Sequence, residues 1–437
     1  LSTKAIKFIE KINGELQFMG DKSVSHRALI FTAMAEGASK IFNLSLSDDV
    51  RSTMNCLSAL GAGFKVEKEK TTTRVITVKG VGYKGFTAPE TILNAGNSGT
   101  TARLLAGLLA VQDFESEITG DESLQRRPMD RISIPLNSLG SKIKLNENKY
   151  LPIKIKPGKI TPQEITLSVA SAQVKSALIL AGLHTEDGAL EIIDPYETRN
   201  HTEEMLGILR VPVGLSPAKK MVVSKKNYPK AGVYTVPGDI SSAMFFIVLA
   251  LIAGEKLTVK NLLLSSERIA ALEILKRMEG NIEIIREETG NCGRLGDIVV
   301  HKSDLINTEI LPEEIPLIID EIPALSIAGL FAEGGFLIRN AKELRLKETD
   351  RISAIVKNLK ACGVDVEEYE DGFLIYGKEL KEKGKFESFG DHRIAMAFSV
   401  LAALLNEGGL INDYECVSVS NPDFYKQLDS ITVRGRS

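Results

Sequence analysis

The sequence predicts an α+β fold assembled from six related units, and three observations carry that expectation. Six openings of small or polar residues recur along the 437 residues: Gly20-Asp21-Lys22-Ser23, Gly96-Asn97-Ser98-Gly99, Ser171-Ala172-Gln173, Gly238-Asp239-Ile240-Ser241, Asp320-Glu321-Ile322-Pro323 and Gly390-Asp391-His392-Arg393. Each runs into an apolar stretch of helical length, then a strand and a second helix, and such repetition marks a fold built by copying one supersecondary unit. The pair Gly20–Phe64 and Gly238–Ile282 matches feature by feature. Both have a polar start, an apolar helix, a Glu/Gly stop (Glu36-Gly37, Gly254-Glu255), a short strand ending near Asn43 or Asn261, and an amphipathic helix. Between the openings, apolar and polar residues alternate over strand lengths, which suits half-buried strands.

In chain order, Ala5–Phe18 reads as a strand, a turn at Asn13-Gly14 and a second strand. The first unit follows at Gly20, and its second helix, Arg51–Ala59, spaces apolar residues three and four apart. Arg74–Val78 and Leu151–Lys156 alternate as strands, and Tyr228–Pro237 is extended before the fourth opening. The longest apolar run, Ala243–Ala253, is too short to span a bilayer and predicts a buried helix. Pro316–Ile319 reads as a buried strand, Lys347–Ala361 as an amphipathic helix, and Gly372–Tyr376 as a further strand. The extended passages before Gly20 and Gly238 place two domain crossings, near Met19-Gly20 and Val236–Gly238. The expected domains are a central one, 20–237, and a discontinuous one joining 1–19 to 238–437, with three units in each and hinge motion in the glycines.

The openings also suggest chemistry. The first N–H groups of a helix lack intrahelical partners and carry partial positive charge, so helices that start at Gly, Ser, Asn or Asp can hold phosphates and carboxylates. Lys22, Arg27, Arg103, Lys175 and Arg393 all fall within two turns of an opening. Two domains facing each other with such ends would form a cleft for small anions. Ordinary capping with solvated surface charge would use the same residues.

Bulk properties narrow the field. A hydrophobic share of 43%, 25% charged residues and a formal charge of -3 describe a soluble globular chain without a global basic field, which argues against nucleic-acid binding. Four cysteines, Cys56, Cys292, Cys362 and Cys416, are scattered without CxxC spacing, and the five histidines form no HExxH pair, so neither a disulfide framework nor a metal site is expected. Leu1–Phe18 has no apolar signal-peptide core, and the expected location is the cytoplasm; an organelle precursor freed of its transit segment would read the same way.

Individual motifs are less specific alone. In Gly20–Arg27, Lys22 and Arg27 could reach an anion held at a helix start, with Ser23 adding a hydroxyl. The Gly-rich stretch Asn94–Arg103 lets backbone approach a ligand but lacks the spacing of a nucleotide-binding P-loop. Arg126, Arg127 and Arg131 cluster around Pro128, and arginine pairs with phosphate or carboxylate through a planar fork. Lys347 and Arg351 would lie one helical turn apart beside Glu348, although charge pairing along the helix explains much of that segment. Asp320-Glu321 offers a helix cap or a general base, and His392 suits packing as well as catalysis.

Taken in order, GDKSVSHR (20–27), NSGTTAR (97–103), RRPMDR (126–131), SAQVKSA (171–177), LRLKETDR (344–351) and GDHRIAM (390–396) resemble the motifs of the 5-enolpyruvylshikimate-3-phosphate synthase family across essentially the whole chain. The resemblance implies a two-domain, inside-out α/β barrel of six βαβαββ repeats with the active site in the interdomain cleft. It also implies a monomer that needs no cofactor or metal and binds neither nucleic acid nor membrane, transferring the enolpyruvyl group of phosphoenolpyruvate to the 5-hydroxyl of shikimate 3-phosphate. By the same resemblance, Lys22 sits between both substrates, and Ser23, Arg27, Ser171, Ala172, Gln173, Arg199, Asp320 and Lys347 contact shikimate 3-phosphate. Gly99, Arg127, Gln173, Arg351 and Arg393 would bind phosphoenolpyruvate; Asp320 would accept the hydroxyl proton and Glu348 would protonate the methylene carbon. Ala172, Glu343 and Val419 depart from one branch, which has Ser, Asn and Lys there, whereas the SAQ triplet and Asp194–His201 resemble a second, bacterial branch. Glyphosate is expected to compete with phosphoenolpyruvate. The alternative of the same fold is a UDP-N-acetylglucosamine enolpyruvyl transferase, which lacks the SHR triplet and usually carries a loop cysteine.

Overall fold

The computed structural model describes residues 2–68, 74–209, 211, 213–215, 220–265, 267–377 and 380–433. The chain divides into two compact units, Gly20–Pro237 with Gly290–Gly293, and Leu1–Met19 with Gly238–Thr289 and Arg294–Ser437. Six helices follow the six openings: α1 (Lys22–Met34), α2 (Gly99–Leu109), α3 (Ala172–Gly182), α4 (Ile240–Ala253), α5 (Ile322–Phe331) and α6 (His392–Leu404). They are buried almost along their length and, beyond the polar residues of their first two turns, largely apolar on every side, as a helix without a solvent face must be. Most strands alternate buried and exposed residues, and the strands form six separate sheets, so the described residues make no closed barrel.

In the central unit the three sheets share one plan. The outer strand (Val233–Thr235, Leu93–Asn94 or Glu164–Thr166) runs parallel to its neighbour (Glu36–Phe42, Ser116–Thr119 or Leu190–Ile193), and two antiparallel strands complete each sheet. Helices α2 and α3 pack very closely. A Cβ on Gly107 would stand 2.2 Å from the Ala177 carbonyl oxygen, so only glycine permits that crossing.

The other unit explains why the N-terminal residues join the C-terminal half. Ile12–Gln17 pairs in parallel with Gly254–Leu263, and Thr3–Ile6 pairs antiparallel with Gly409–Asn412. The two strands therefore lie in different sheets and are not a hairpin. Asn13-Gly14, expected to be the turn, sits inside the second strand, and residues 7–11 make the connection. In the fifth sheet the parallel outer strand has shrunk to a single bridge, Ile306 to Glu333.

The matched repeats share their stitching. The Gly20 N–H donates to the Asn43 carbonyl at 2.9 Å, and the Gly238 N–H to the Asn261 carbonyl at 2.6 Å. Both asparagines adopt left-handed backbone, φ 55° and 53°, as do Asn340 and Asp413 at the matching strand ends of the fifth and sixth units. Asn and Asp tolerate that region better than other side chains. A Cβ on Gly20 would fall 2.1 Å from the Asn43 oxygen.

Two further expected elements differ. Pro316–Ile319 is not a strand: Ile315–Ile318 forms a short helix whose early Pro316 sits where an N–H has no partner to lose. The helix expected over Lys347–Ala361 begins at Arg351, because Asp350 caps it by accepting the Ser353 N–H at 3.0 Å while Lys347 is extended. Among the described residues, no helix is long and apolar enough to cross a membrane.

Candidate active site

In the central unit, the first turns of α1, α2 and α3 carry most of the expected residues. Asp21, Ser98 and Ser171 cap these helices, accepting the N–H of Val24, Thr101 and Val174. Lys22 Nζ lies 3.0 Å from Asp49 Oδ2, with both side chains mostly covered. Ser23 is half-buried beside it. Arg27 is buried and spans three elements: Nε donates to Thr202 Oγ1 at 2.7 Å, Nη2 to Ser176 Oγ at 2.7 Å, and Nη1 to the Ser23 carbonyl at 2.9 Å.

Around the start of α2, Gly99, Arg103, Arg127 and Gln173 meet. Arg103 Nη1 donates to Gln173 Oε1 at 2.6 Å, and Gln173 Nε2 to Thr100 Oγ1 at 2.9 Å. Arg127 Nη2 donates to Asn97 Oδ1 at 2.7 Å. A Cβ on Gly99 would lie 3.1 Å from Arg103 Nη1 and 3.5 Å from Arg127 Nη1, so the missing side chain leaves both guanidiniums clear of the helix end. Of the arginine cluster, Arg127 is buried, whereas Arg126 is 80% exposed with Glu122 3.8 Å away and belongs to the solvated surface. Ser171, Ala172 and Gln173 are half-buried together at the head of α3. Arg199 is half-buried in the turn before His201–Ile208. That turn is anchored by Lys175, whose Nζ lies 3.0 Å from Asp194, 2.8 Å from Glu203 and 2.8 Å from the Thr198 carbonyl. Lys175 is 3% exposed, so its charge serves the turn.

In the other unit, Asp320, Lys347, Glu348, Arg351 and Arg393 converge. Lys347 Nζ donates to Asp320 Oδ1 at 3.1 Å and Arg351 Nη1 to the same oxygen at 3.3 Å, while Arg393 Nη1 donates to the Asp320 carbonyl at 2.7 Å. Arg351 also reaches Glu348 Oε2 at 2.6 Å and Asp391 Oδ2 at 2.8 Å. It is 1% exposed. Burial by itself would lower its pKa, but Asp391, Glu348 and Asp320 outweigh that and hold it above the ordinary arginine value. Asp391 does two jobs, since it also caps α6 through the Arg393 and Ile394 N–H groups. Next to Asp320, Glu321 is buried with Ser241 and Arg268, whose Nη2 donates to Ser241 Oγ at 2.7 Å.

Asp49, which holds Lys22, was not singled out by the sequence; Asp391 and Arg103 were named only as parts of helix openings, without their partners Arg351 and Gln173. The pair Asp48-Asp49 at a helix start was a visible signal for the first. Glu343 is exposed, and Val419 is half-buried at the end of the 3₁₀ turn Tyr414–Val419. Burial pushes the Cys56, Cys292 and Cys416 thiols up to about 12, which leaves them unreactive.

The family model described as EPSP synthase (3-phosphoshikimate 1-carboxyvinyltransferase) matches residues 6–428. The chain belongs to the EPSP synthase family. A 3-phosphoshikimate 1-carboxyvinyltransferase of Petrotoga mobilis is 43% identical over 426 residues, covering 97% of this chain and 98% of the relative. An EPSP synthase structure from Acinetobacter baumannii has a TM-score of 0.84 at 35% identity, with 98% of each chain covered. The enolpyruvyl transferase NikO from Streptomyces tendae, at 15% identity and TM-score 0.72 over 98% of this chain and 96% of its own, shares the fold. This two-domain fold of the EPSP synthase family supplies the helix starts that carry Lys22, Gly99, Gln173 and Arg393, and the connections that carry Arg127, Arg199, Lys347 and Glu348.

Proposed function

We propose that the chain transfers the enolpyruvyl group of phosphoenolpyruvate to the 5-hydroxyl of shikimate 3-phosphate and releases phosphate. Family membership supports this reading over the UDP-N-acetylglucosamine alternative. The observation that carries it is the arrangement at Asp320: a carboxylate held by two cations, with a second carboxylate, Glu348, on the same arginine. A base and an acid are what the reaction needs. Asp320 takes the hydroxyl proton as that oxygen attacks C2 of phosphoenolpyruvate, and Glu348 delivers a proton to C3. Loss of phosphate and of a C3 proton then restores the double bond. Positioned acid–base groups of this kind contribute about 10²–10⁴-fold.

The remaining residues bind and orient. Lys22 stands between the two substrates. Ser23, Arg27, Ser171, Ala172, Gln173, Arg199, Asp320 and Lys347 serve shikimate 3-phosphate; Gly99, Arg127, Gln173, Arg351 and Arg393 serve phosphoenolpyruvate. Both ligands are anions, and excluding water from around them strengthens each of these contacts. No cofactor or metal enters this scheme. We assign the enzyme to the cytoplasm, as a monomer. A phosphate-release assay with both substrates tests the assignment: turnover is expected, whereas turnover with the UDP-sugar and none with shikimate 3-phosphate would reject it.

A further inference from the structure

Two polar rungs join α1 to the helix Asp48–Ala59. The first is Lys22 to Asp49. The second, four residues on in both helices, is His26 Nδ1 to Thr53 Oγ1 at 2.7 Å. From Thr53 the chain of contacts continues to Thr101 Oγ1 at 2.6 Å and then to Ser98 Oγ, the cap of α2, at 2.8 Å. Thr101 Oγ1 also lies 3.4 Å from the Asp49 carbonyl, which closes the ladder back on the first rung. His26, Thr53, Ser98 and Thr101 are all 0% exposed, so no water exchange relaxes these bonds.

Counting protons gives one direction in which every contact of the chain is satisfied. Each hydroxyl has one proton, and that of Thr101 goes to Ser98 or to the Asp49 carbonyl. Thr101 therefore accepts from Thr53, and Thr53, its proton spent, accepts from His26. Only the tautomer with hydrogen on Nδ1 can donate there. This leaves His26 Nε2 as a buried lone pair, and that nitrogen has no hydrogen-bond partner among the described residues. Burial, Lys22 and Arg27 oppose a second proton and outweigh Asp21.

We propose that His26 is a positioning residue: as the Nδ1–H tautomer it donates to Thr53 and, through Thr101 and Ser98, keeps the Lys22 end of α1 in register with the Gly99 end of α2. The proposal rests on the enolpyruvyl-transfer reading for its kinetic consequence but not for the tautomer. A simple packing residue would be indifferent to which ring nitrogen carries the proton and would accept an apolar replacement of similar size.

The test compares His26→Leu, His26→Asn and Thr53→Val, with folding checked by Tm. An Asn amide nitrogen can stand where Nδ1 stands, so His26→Asn should stay within about threefold of wild type, whereas His26→Leu should lose about 10–100-fold in kcat/KM, as displaced catalytic groups do. Thr53→Val, which keeps the volume and removes the hydroxyl, should match His26→Leu, and combining the two should cost no more than either. Wild-type kcat and KM in folded His26→Leu and Thr53→Val would overturn the proposal, as would equal losses in the Leu and Asn variants. If His26→Leu does not fold, Thr53→Val decides. A nitrogen-15 spectrum of histidine-labelled enzyme, with the His26 signals assigned by their loss in His26→Asn, should show Nδ1 protonated; a proton on Nε2 refutes the proposal whatever the activity. Absence of wild-type turnover with both substrates would instead count against the assigned reaction.

Discussion

Replacing Arg351 by Met should be among the most damaging single changes in the chain. The guanidinium is 1% exposed and joins three carboxylates: Asp391 by two contacts, at 2.8 and 3.3 Å, Glu348 at 2.6 Å and Asp320 at 3.3 Å. Asp391 is itself 0% exposed, so loss of the cation strands a buried anion beside two others. Removing one partner of a buried pair costs about 3–5 kcal/mol, because the remaining charge is left uncompensated. For a unit of this size each kcal/mol moves Tm by about 2–4 °C, so a fall of about 6–20 °C is expected. Calorimetry with a parallel denaturant titration reads both quantities. Arg351→Lys should be intermediate, since one ammonium supplies charge but cannot direct separate N–H groups to three acceptors. A loss below about 1 kcal/mol in Arg351→Met would refute the reasoning, for it would mean that the three carboxylates do not depend on this cation.

Two further outcomes follow from the same geometry. Asp320→Asn and Glu348→Gln should each lower kcat by about 10²–10⁴-fold, measured by phosphate release, with a smaller fall in Tm than Arg351→Met, because each removes a group proposed to transfer a proton while keeping its shape and leaving the Arg351–Asp391 pair intact. His184, buried against the rings of Tyr83 and Tyr228, has its pKa pushed by that burial from 6.5 down to about 4. A depressed folded pKa gives stability that is complete above the unfolded value and is lost as pH falls, here between about 6.5 and 4, amounting to about 3 kcal/mol. Subtracting the stability curve of His184→Phe from that of wild type should isolate this slope, and a flat difference would show that His184 is not the group responsible.

What the sequence revealed, and what it hid, divides by distance along the chain. Helix openings are local: Asp21, Ser98, Ser171, Asp239 and Asp391 each accept an N–H two or three residues on, so the pattern is visible in a few letters. The left-handed Asn43 and Asn261 are local for the same reason. The role of Asn13-Gly14 was hidden because its strand pairs with residues near 257, and a turn-forming pair has no local mark that says it will be recruited into a distant sheet. Arg351 was visible as a cation, but its enclosure depends on Asp391, forty residues later. Lys347 shows the reverse error: the apolar spacing after it resembled a continuing helix, and the Asp350 cap that starts the helix afterwards was written three letters away.

Those caps alter the electrostatic argument that the openings first suggested. Bare helix starts attract anions, yet α1, α4 and α6 are capped by Asp21, Asp239 and Asp391, whose carboxylates already occupy the positive end. Only α2 and α3 pair a neutral serine cap with nearby cations, Arg103 and Arg127 at one, and Arg103 through Gln173 at the other. If helix ends contribute to substrate binding, these two should do so, and Ser171→Asp separates the possibilities. Aspartate caps a helix as well as serine does, so Tm should hold within about 0.5 kcal/mol of stability. Its charge, however, would fill the end of α3 and repel a phosphate there, and KM for shikimate 3-phosphate should rise at least about tenfold, the equivalent of roughly 1.4 kcal/mol. Ser171→Asn, which caps without charge but also gives up the serine's proposed contact to shikimate 3-phosphate, should raise KM clearly less than Ser171→Asp. Equal KM values for the Asp and Asn variants would mean that the dipole of α3 takes no part, and that side-chain cations alone hold the anion.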